Sequence, residues 1–119
     1  MTRKGILAVL VVEDDADFRF LIGGIFRDIG CSVREAEHGQ HALDLLKRWR
    51  PDVILLDIVM PVMDGFTFLA RKRQVPDLSD VPVIVVSATA RPPIEGALCV
   101  FPKPVDVNDL VQAVKQLAS

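Results

Sequence analysis

Five polar residues stand at the ends of apolar runs, and together they could do chemistry that none could do alone. Glu13 and Asp14 follow Ile6–Val12, Asp57 follows Val53–Leu56, Ser87 follows Val81–Val86, and Lys103 lies just past Leu98–Phe101. If those runs are neighbouring strands, three carboxylates crowd into one shallow cleft with a hydroxyl and an ammonium on its rim. Like-charged carboxylates held that close do not all ionise comfortably without a counter-charge. A hard divalent cation with oxygen ligands is the natural answer, and few carboxylates with open water positions favour Mg2+ over Ca2+. Lys103 is expected either to pair with Asp57 or to bind an anion brought to the cleft. A carboxylate beside Mg2+, faced by Lys and Ser donors, is set up to receive a phosphoryl group, with Asp57 attacking in line. Each piece has an ordinary reading: Glu13-Asp14-Asp15 as a turn and helix cap, Asp57 as the start of a turn, Ser87 as a strand-end hydroxyl. Their arrival in this chain order, each at the end of a run, is what makes them one candidate site.

The elements that must position them follow from periodicity. Ile6–Val12 reads as a first strand. From about Ala16 to Ile29, the spacing of Phe18, Leu21, Ile22, Ile25, Phe26 and Ile29 is that of an amphipathic helix, with Asp15 as N-cap and Gly30 as stop. Cys31–Ala36 is a polar edge strand anchored by Val33. A second helix, from Gln40 to Trp49, places Ala42, Leu45, Leu46 and Trp49 on one stripe before Pro51 forbids continuation. The strand Val53–Leu56 is apolar at every position, as a strand buried on both faces must be. A third helix is expected from Phe66 to Gln74, with Phe66, Leu69 and Ala70 inward and Arg71-Lys72-Arg73 at its negative end. Val75–Asp80 is a loop, Val81–Val86 and Leu98–Phe101 are strands, and Asp106–Ala118 is a closing helix. Alternating β and α units imply an α/β domain with a doubly wound, five-stranded parallel sheet in the flavodoxin-like order 2-1-3-4-5. That order puts Cys31 and Cys99 on opposite edges, so they cannot form a disulfide.

Composition narrows the function classes. The 119 residues suit one domain over 1–119 with its own core. A net charge of −2 leaves no basic footprint for nucleic acid. The start Met1-Thr2-Arg3-Lys4 before Ile6–Val12 imitates a secretory leader, but the run is short, no small-residue cleavage site follows, and Glu13-Asp14-Asp15 ends it. No apolar run approaches the ~20 residues of a membrane span. A cytoplasmic protein is expected.

The sequence resembles the receiver domains of two-component response regulators. The likeness is carried by Val11-Val12-Glu13-Asp14-Asp15, by Leu55-Leu56-Asp57-Ile58-Val59-Met60-Pro61 with Met63-Asp64-Gly65, by Val86-Ser87-Ala88, and by Lys103-Pro104. Gly39 with Ala42-Leu43 matches the start of the family's second helix. The resemblance implies that Asp57 is the phosphoacceptor of a phosphorelay. Glu13 and Asp14 would hold Mg2+, with Asp14 the direct ligand, and the backbone carbonyl of Val59 would complete the protein ligands. Ser87 would hydrogen-bond the phosphoryl group, Lys103 would pair with it, and the Lys103–Pro104 bond would be cis. The donor would be a phosphohistidine on a sensor histidine kinase or a histidine phosphotransfer protein. It would dock on the first helix, where Phe20, Gly23 and Gly24 offer a flat surface, and an unknown downstream protein would read the result.

Two departures set this chain apart from that family. Counting back from Lys103 puts Val100 where a switch Tyr or Phe normally sits, and strand alternation turns Phe101 to the opposite face. The stretch from Ser87 to Lys103 is also roughly six residues shorter than the family norm, more than one and a half helical turns. Pro92 and Pro93 restrict it further, so the fourth helix is expected to be shortened or absent and the output face rebuilt. The alternative is a receiver-like binding module that works regardless of phosphorylation. A haloacid-dehalogenase-type phosphohydrolase needs a second Asp two positions after the first, and Val59 stands there. The chain is therefore not read as an enzyme with an external substrate.

Overall fold

Strand β1 (Ala8–Val12) and strand β3 (Val53–Leu56) are buried at every position, and the domain is layered about them. The computed structural model describes residues 6–117, so the basic start Met1–Lys4 and the end of the closing helix at Ala118 lie outside the described residues. The remaining elements are α1 (Ala16–Asp28), β2 (Ser32–Ala36), α2 (Gly39–Leu46), α3 (Gly65–Arg73), β4 (Val83–Ser87), β5 (Cys99–Pro102) and α4 (Val107–Gln116). All strand pairs are parallel, in the order β2-β1-β3-β4-β5. Because successive strand residues face opposite sides, the apolar runs feed two cores. Leu10, Val12, Ile54, Leu56, Val83 and Val85 pack against Ala42, Leu46, Phe68 and Leu69 of α2 and α3. Val9, Val11, Val53, Leu55, Ile84 and Val86 pack against Ile22 and Phe26 of α1 and against Leu110 and Val114 of α4. Each of these valine, leucine, isoleucine and phenylalanine side chains contributes about 1.5–3 kcal/mol of burial.

Helix ends fall where the side chains cap them. Asp15, His38, Asp64 and Asp106 each accept from the backbone N–H three residues on. Gly30 ends α1 with φ +97, a left-handed conformation glycine adopts without strain. Helix α2 stops at Leu46 rather than Trp49. The N–H groups of Lys47 and Arg48 bond three residues back, which tightens the last turn. Trp49 still packs on the first core, with the Arg34 guanidinium 5.0 Å above its ring.

Two expectations about helix faces are corrected. Phe66 is not inward: it is 55% exposed, while Phe68 is fully buried. The cause is Gly65, whose N–H donates to the Ile58 carbonyl at 2.8 Å and which sits so close that a Cβ would lie 2.7 Å from Ile58. This contact sets the phase of α3, burying Gly65, Phe68, Leu69 and Lys72 and turning Phe66 outward. In α1, Leu21 and Ile29 are exposed, and the buried stripe runs Arg19, Ile22, Gly23, Phe26.

Between β4 and β5 no helix forms. Thr89–Leu98 runs as irregular chain with a cis Pro92–Pro93 bond and a turn at Gly96, φ +91. Ile94, buried, seals the first core where a helix would have packed, and Ala90 and Ala97 lie against it. Val100 faces that same core and Phe101 faces the other one, as alternation requires. Cys31 and Cys99 are free, beside opposite edge strands.

Candidate functional site

The parallel sheet delivers its strand ends to one edge. The Glu13 N–H donates to Ala36 at 3.0 Å, and the Asp57 N–H donates to Val12 at 3.0 Å, so backbone pairing alone sets Asp57 beside the end of β1. Glu13 and Asp57 are buried, at 3% and 8% exposure, while Asp14 is exposed. One carboxylate oxygen from each of Glu13, Asp14 and Asp57 lies within 4.8 Å of the others. This all-oxygen, anionic donor set fits a small hard cation such as Mg2+.

Electrostatics mark the strain of that grouping. Burial pushes the Asp57 carboxyl above its ordinary range; the Lys103 ammonium and the Ile58 N–H pull it back, and Asp14 pushes it further up. The Asp57 Oδ1 accepts from the Ile58 N–H at 2.9 Å. Burial likewise raises Glu13, opposed by the hydrogen bond from Lys103 and by the Asp15 N–H. Both oxygens of Glu13 are engaged, Oε1 by Lys103 Nζ at 2.7 Å and Oε2 by the Asp15 N–H at 3.1 Å.

The expected Lys103–Asp57 pair is therefore replaced by a Lys103–Glu13 pair. Glu13 is the more deeply buried carboxylate, and the Phe18 ring holds the ammonium 4.4 Å from its centroid on that side. Lys103 itself is placed by β5, its N–H donating to the Ser87 carbonyl at 3.1 Å, and the Lys103–Pro104 bond is cis. Ser87 is 1% exposed, and its Oγ accepts from the N–H groups of Thr89 and Ala90 at 3.3 and 3.2 Å. Val59, 64% exposed, lies in the loop beyond Asp57, and its N–H slightly opposes the rise that burial imposes on the Asp57 carboxyl. In the same loop Val62 has φ +66 and is 79% exposed.

On α1, Phe20 is exposed and a Cβ on Gly24 would meet open space, but Gly23 is buried against Glu35 and takes no part in a landing surface. Arg19 also belongs to this site, although no motif marks it. This buried residue donates from Nη1 to the Glu13 carbonyl at 2.8 Å and pairs with Glu35 of β2. The signal was present: Arg19 occupies the stripe position three before Ile22 and seven before Phe26. A cation on an apolar face needs a buried partner.

Comparison with known proteins agrees with this geometry. A model of the response regulator receiver domain family matches residues 9–115. The chain is 32% identical over 114 residues to sporulation initiation phosphotransferase F of Bacillus subtilis (strain 168), covering 91% of this chain and 90% of that protein. A Francisella response regulator receiver domain superposes with a TM-score of 0.84 at 31% identity, over 93% of this chain and 95% of that one. The chemotaxis response regulator CheY4 of Vibrio cholerae does so with a TM-score of 0.86 at 27% identity, over 94% and 98%. With its sheet order, its acidic strand ends and these likenesses taken together, the chain belongs to the response regulator receiver domain family of two-component signalling.

Proposed function

We propose that this chain takes a phosphoryl group onto Asp57 in a Mg2+-dependent step and signals by altered affinity for a downstream protein. The donor is the phosphohistidine of a sensor histidine kinase or of a histidine phosphotransfer protein. The observation that carries this reading is the gathering of Glu13, Asp14 and Asp57 within 4.8 Å, with Lys103 at the same cleft. With Oδ1 accepting from the Ile58 N–H, a carboxylate oxygen of Asp57 attacks phosphorus as the bond to the imidazole nitrogen breaks. Asp14, exposed, is the direct carboxylate ligand beside Asp57, with the Val59 carbonyl completing the set. Glu13, with both oxygens engaged, acts from behind them. Mg2+, when bound, neutralises charge on the phosphoryl oxygens. Lys103 exchanges its bond to Glu13 for one to the phosphoryl group.

Ser87 supplies the link to output. Its Oγ already accepts two N–H bonds, from Thr89 and Ala90, and a hydroxyl has one proton left to donate. Donation to the phosphoryl group pulls on the Thr89–Leu98 segment, so the signal leaves through that rebuilt face. As a receiver the chain is a signalling module and not an enzyme by itself. We read it as one receiver domain over 1–119, acting in the cytoplasm. Two free cysteines suit a reducing compartment, and no helix among the described residues is long and apolar enough to cross a membrane.

Incubation with acetyl phosphate and Mg2+ is expected to add one phosphoryl group, absent in Asp57→Asn and in chelator, read by mass spectrometry. No adduct on the folded protein would overturn the reading. It would favour a receiver-like module that binds its partner regardless of phosphorylation, which the Val at position 100 and the missing β4–β5 helix already accommodate.

A further inference from the structure

We propose that Arg19 is a positioning residue for the acidic cleft, setting the Glu13–Asp14 peptide plane and through it the Asp14 carboxylate. The inference rests on the Mg2+ reading of the cleft given above. Arg19 belongs to α1, yet its guanidinium is spent on β1 and β2. Nη1 donates to the Glu13 carbonyl at 2.8 Å, and Nε lies 3.3 Å from Glu35 Oε1. The side chain is only 10% exposed. Glu35 is held in turn by Arg27 Nη2 at 2.9 Å, and Gly23 makes room for it: a Cβ there would lie 2.9 Å from Glu35 Oε2. Arg27, Glu35 and Arg19 thus form a chain of charges from the end of α1 across β2 to the cleft.

The consequence lies in the peptide bond. The Glu13 N–H is fixed by Ala36 at 3.0 Å and its carbonyl by Arg19, so the residue is gripped on both sides of its backbone. The peptide unit is planar, so the direction of the Glu13 carbonyl dictates that of the Asp14 N–H and constrains where the Asp14 Cβ projects. Asp14 is exposed, and among the described residues no side-chain hydrogen bond or ion pair holds its carboxylate. Its reach toward Asp57 therefore depends on where the backbone places its Cα and Cβ. A buried arginine, with planar, directed donors, suits this task better than a lysine. Loss of such a supporting contact typically weakens metal affinity by roughly 10–100-fold.

Charge alone makes the opposite prediction. Removing a cation beside an acidic cleft strengthens cation binding if Arg19 acts only through its field. Mg2+ is titrated into wild-type protein and into Arg19→Gln, Arg19→Lys and Asp14→Asn, followed by amide chemical shifts, which also report that each variant is folded. The expected result is roughly tenfold weaker Mg2+ binding in Arg19→Gln. Arg19→Lys keeps the charge but cannot serve both partners, and is expected to weaken binding severalfold. Unchanged or tighter binding in folded Arg19→Gln overturns the proposal. If that variant does not fold, unchanged affinity in Arg19→Lys overturns it. A core variant of α1, Ile22→Val, is expected to bind Mg2+ as wild type does, separating positioning from loss of stability. Asp14→Asn tests the underlying reading: if it does not weaken binding, the cleft is not the Mg2+ site. If Asp14→Asn weakens binding and neither Arg19 variant does, only the positioning role fails.

Discussion

Asp57 is a buried carboxylate whose partners only partly offset its burial: backbone N–H groups of Ile58 and Val59 favour its charge, while the Lys103 ammonium is bonded to Glu13. Its folded-state carboxyl lies above the ordinary range because burial penalises the charge and Asp14 adds repulsion. Replacing it with Asn relieves both without removing packing. Asp57→Asn is therefore expected to stabilise the metal-free protein by about 1–2 kcal/mol, measured as a higher denaturant midpoint in chelator. A carboxyl raised on folding binds its proton more tightly in the folded state. Its stabilisation is complete below the unfolded value and is lost as pH rises through the folded one. Glu13 and Asp57 are both raised. The metal-free protein is thus expected to lose stability as pH climbs from the acid end of the carboxylate range toward neutrality, and Asp57→Asn to lose less. A midpoint that does not move with Asp57→Asn would deny that the carboxylates strain one another. At this scale the sequence marked Glu13, Asp14, Asp57, Ser87 and Lys103, since each stands at or just past the end of an apolar run, but it gave no such mark to Arg19, which lies inside α1. It did not announce that Lys103 would choose Glu13, because that choice turns on relative burial and on the Phe18 ring.

Among the elements, the loop between β3 and α3 holds the clearest local tension. Val62 is β-branched, sits at φ +66, and is 79% exposed, so it keeps a left-handed backbone with little packing in return. That region costs an L-residue roughly 1–2 kcal/mol, partly offset in a glycine variant by the larger entropy glycine loses on folding. Val62→Gly is expected to stabilise the fold by roughly 0.5–1 kcal/mol, read as a raised midpoint in thermal or denaturant melts. A lowered midpoint would mean that the Val62 side chain makes a contribution the backbone strain conceals. Helix and strand identities were legible from periodicity, and boundaries agreed within a few residues. Helix phase was less so: Phe66 and Phe68 are equally apolar, and only the close contact of Gly65 with Ile58 decides which of them turns inward.

For the molecule as a whole, the departure that matters is the missing helix between β4 and β5. Ile94, Ala90 and Ala97 cover the first core in its place, and Ser87 ties the start of that segment to the strand end by two hydrogen bonds. Transmission through Ser87 predicts that phosphorylation changes amide exchange within Thr89–Leu98 more than in α2 or α3. Hydrogen exchange with and without acetyl phosphate reads this directly. Exchange that changes only at the cleft would mean that output runs elsewhere.

By itself the sequence determined the alternation of elements, the parallel sheet and its flavodoxin-like order, the edge at which the carboxylates gather, and that any β4–β5 helix is shortened or absent. The elements follow from local rules, since period-two and helical apolar patterns and prolines act within a few residues, and the sheet order follows from how alternating β and α units pack. Tertiary structure alone decided who bonds to whom at that edge. The Lys103–Glu13 pair and the buried Arg19–Glu35 bridge depend on approaches of about 3 Å between different elements, and the inward phase of α3 on the fold of the β3–α3 loop that brings Gly65 onto Ile58. No periodicity records such distances; they appear only once the packing of helix on sheet has set each side chain's reach.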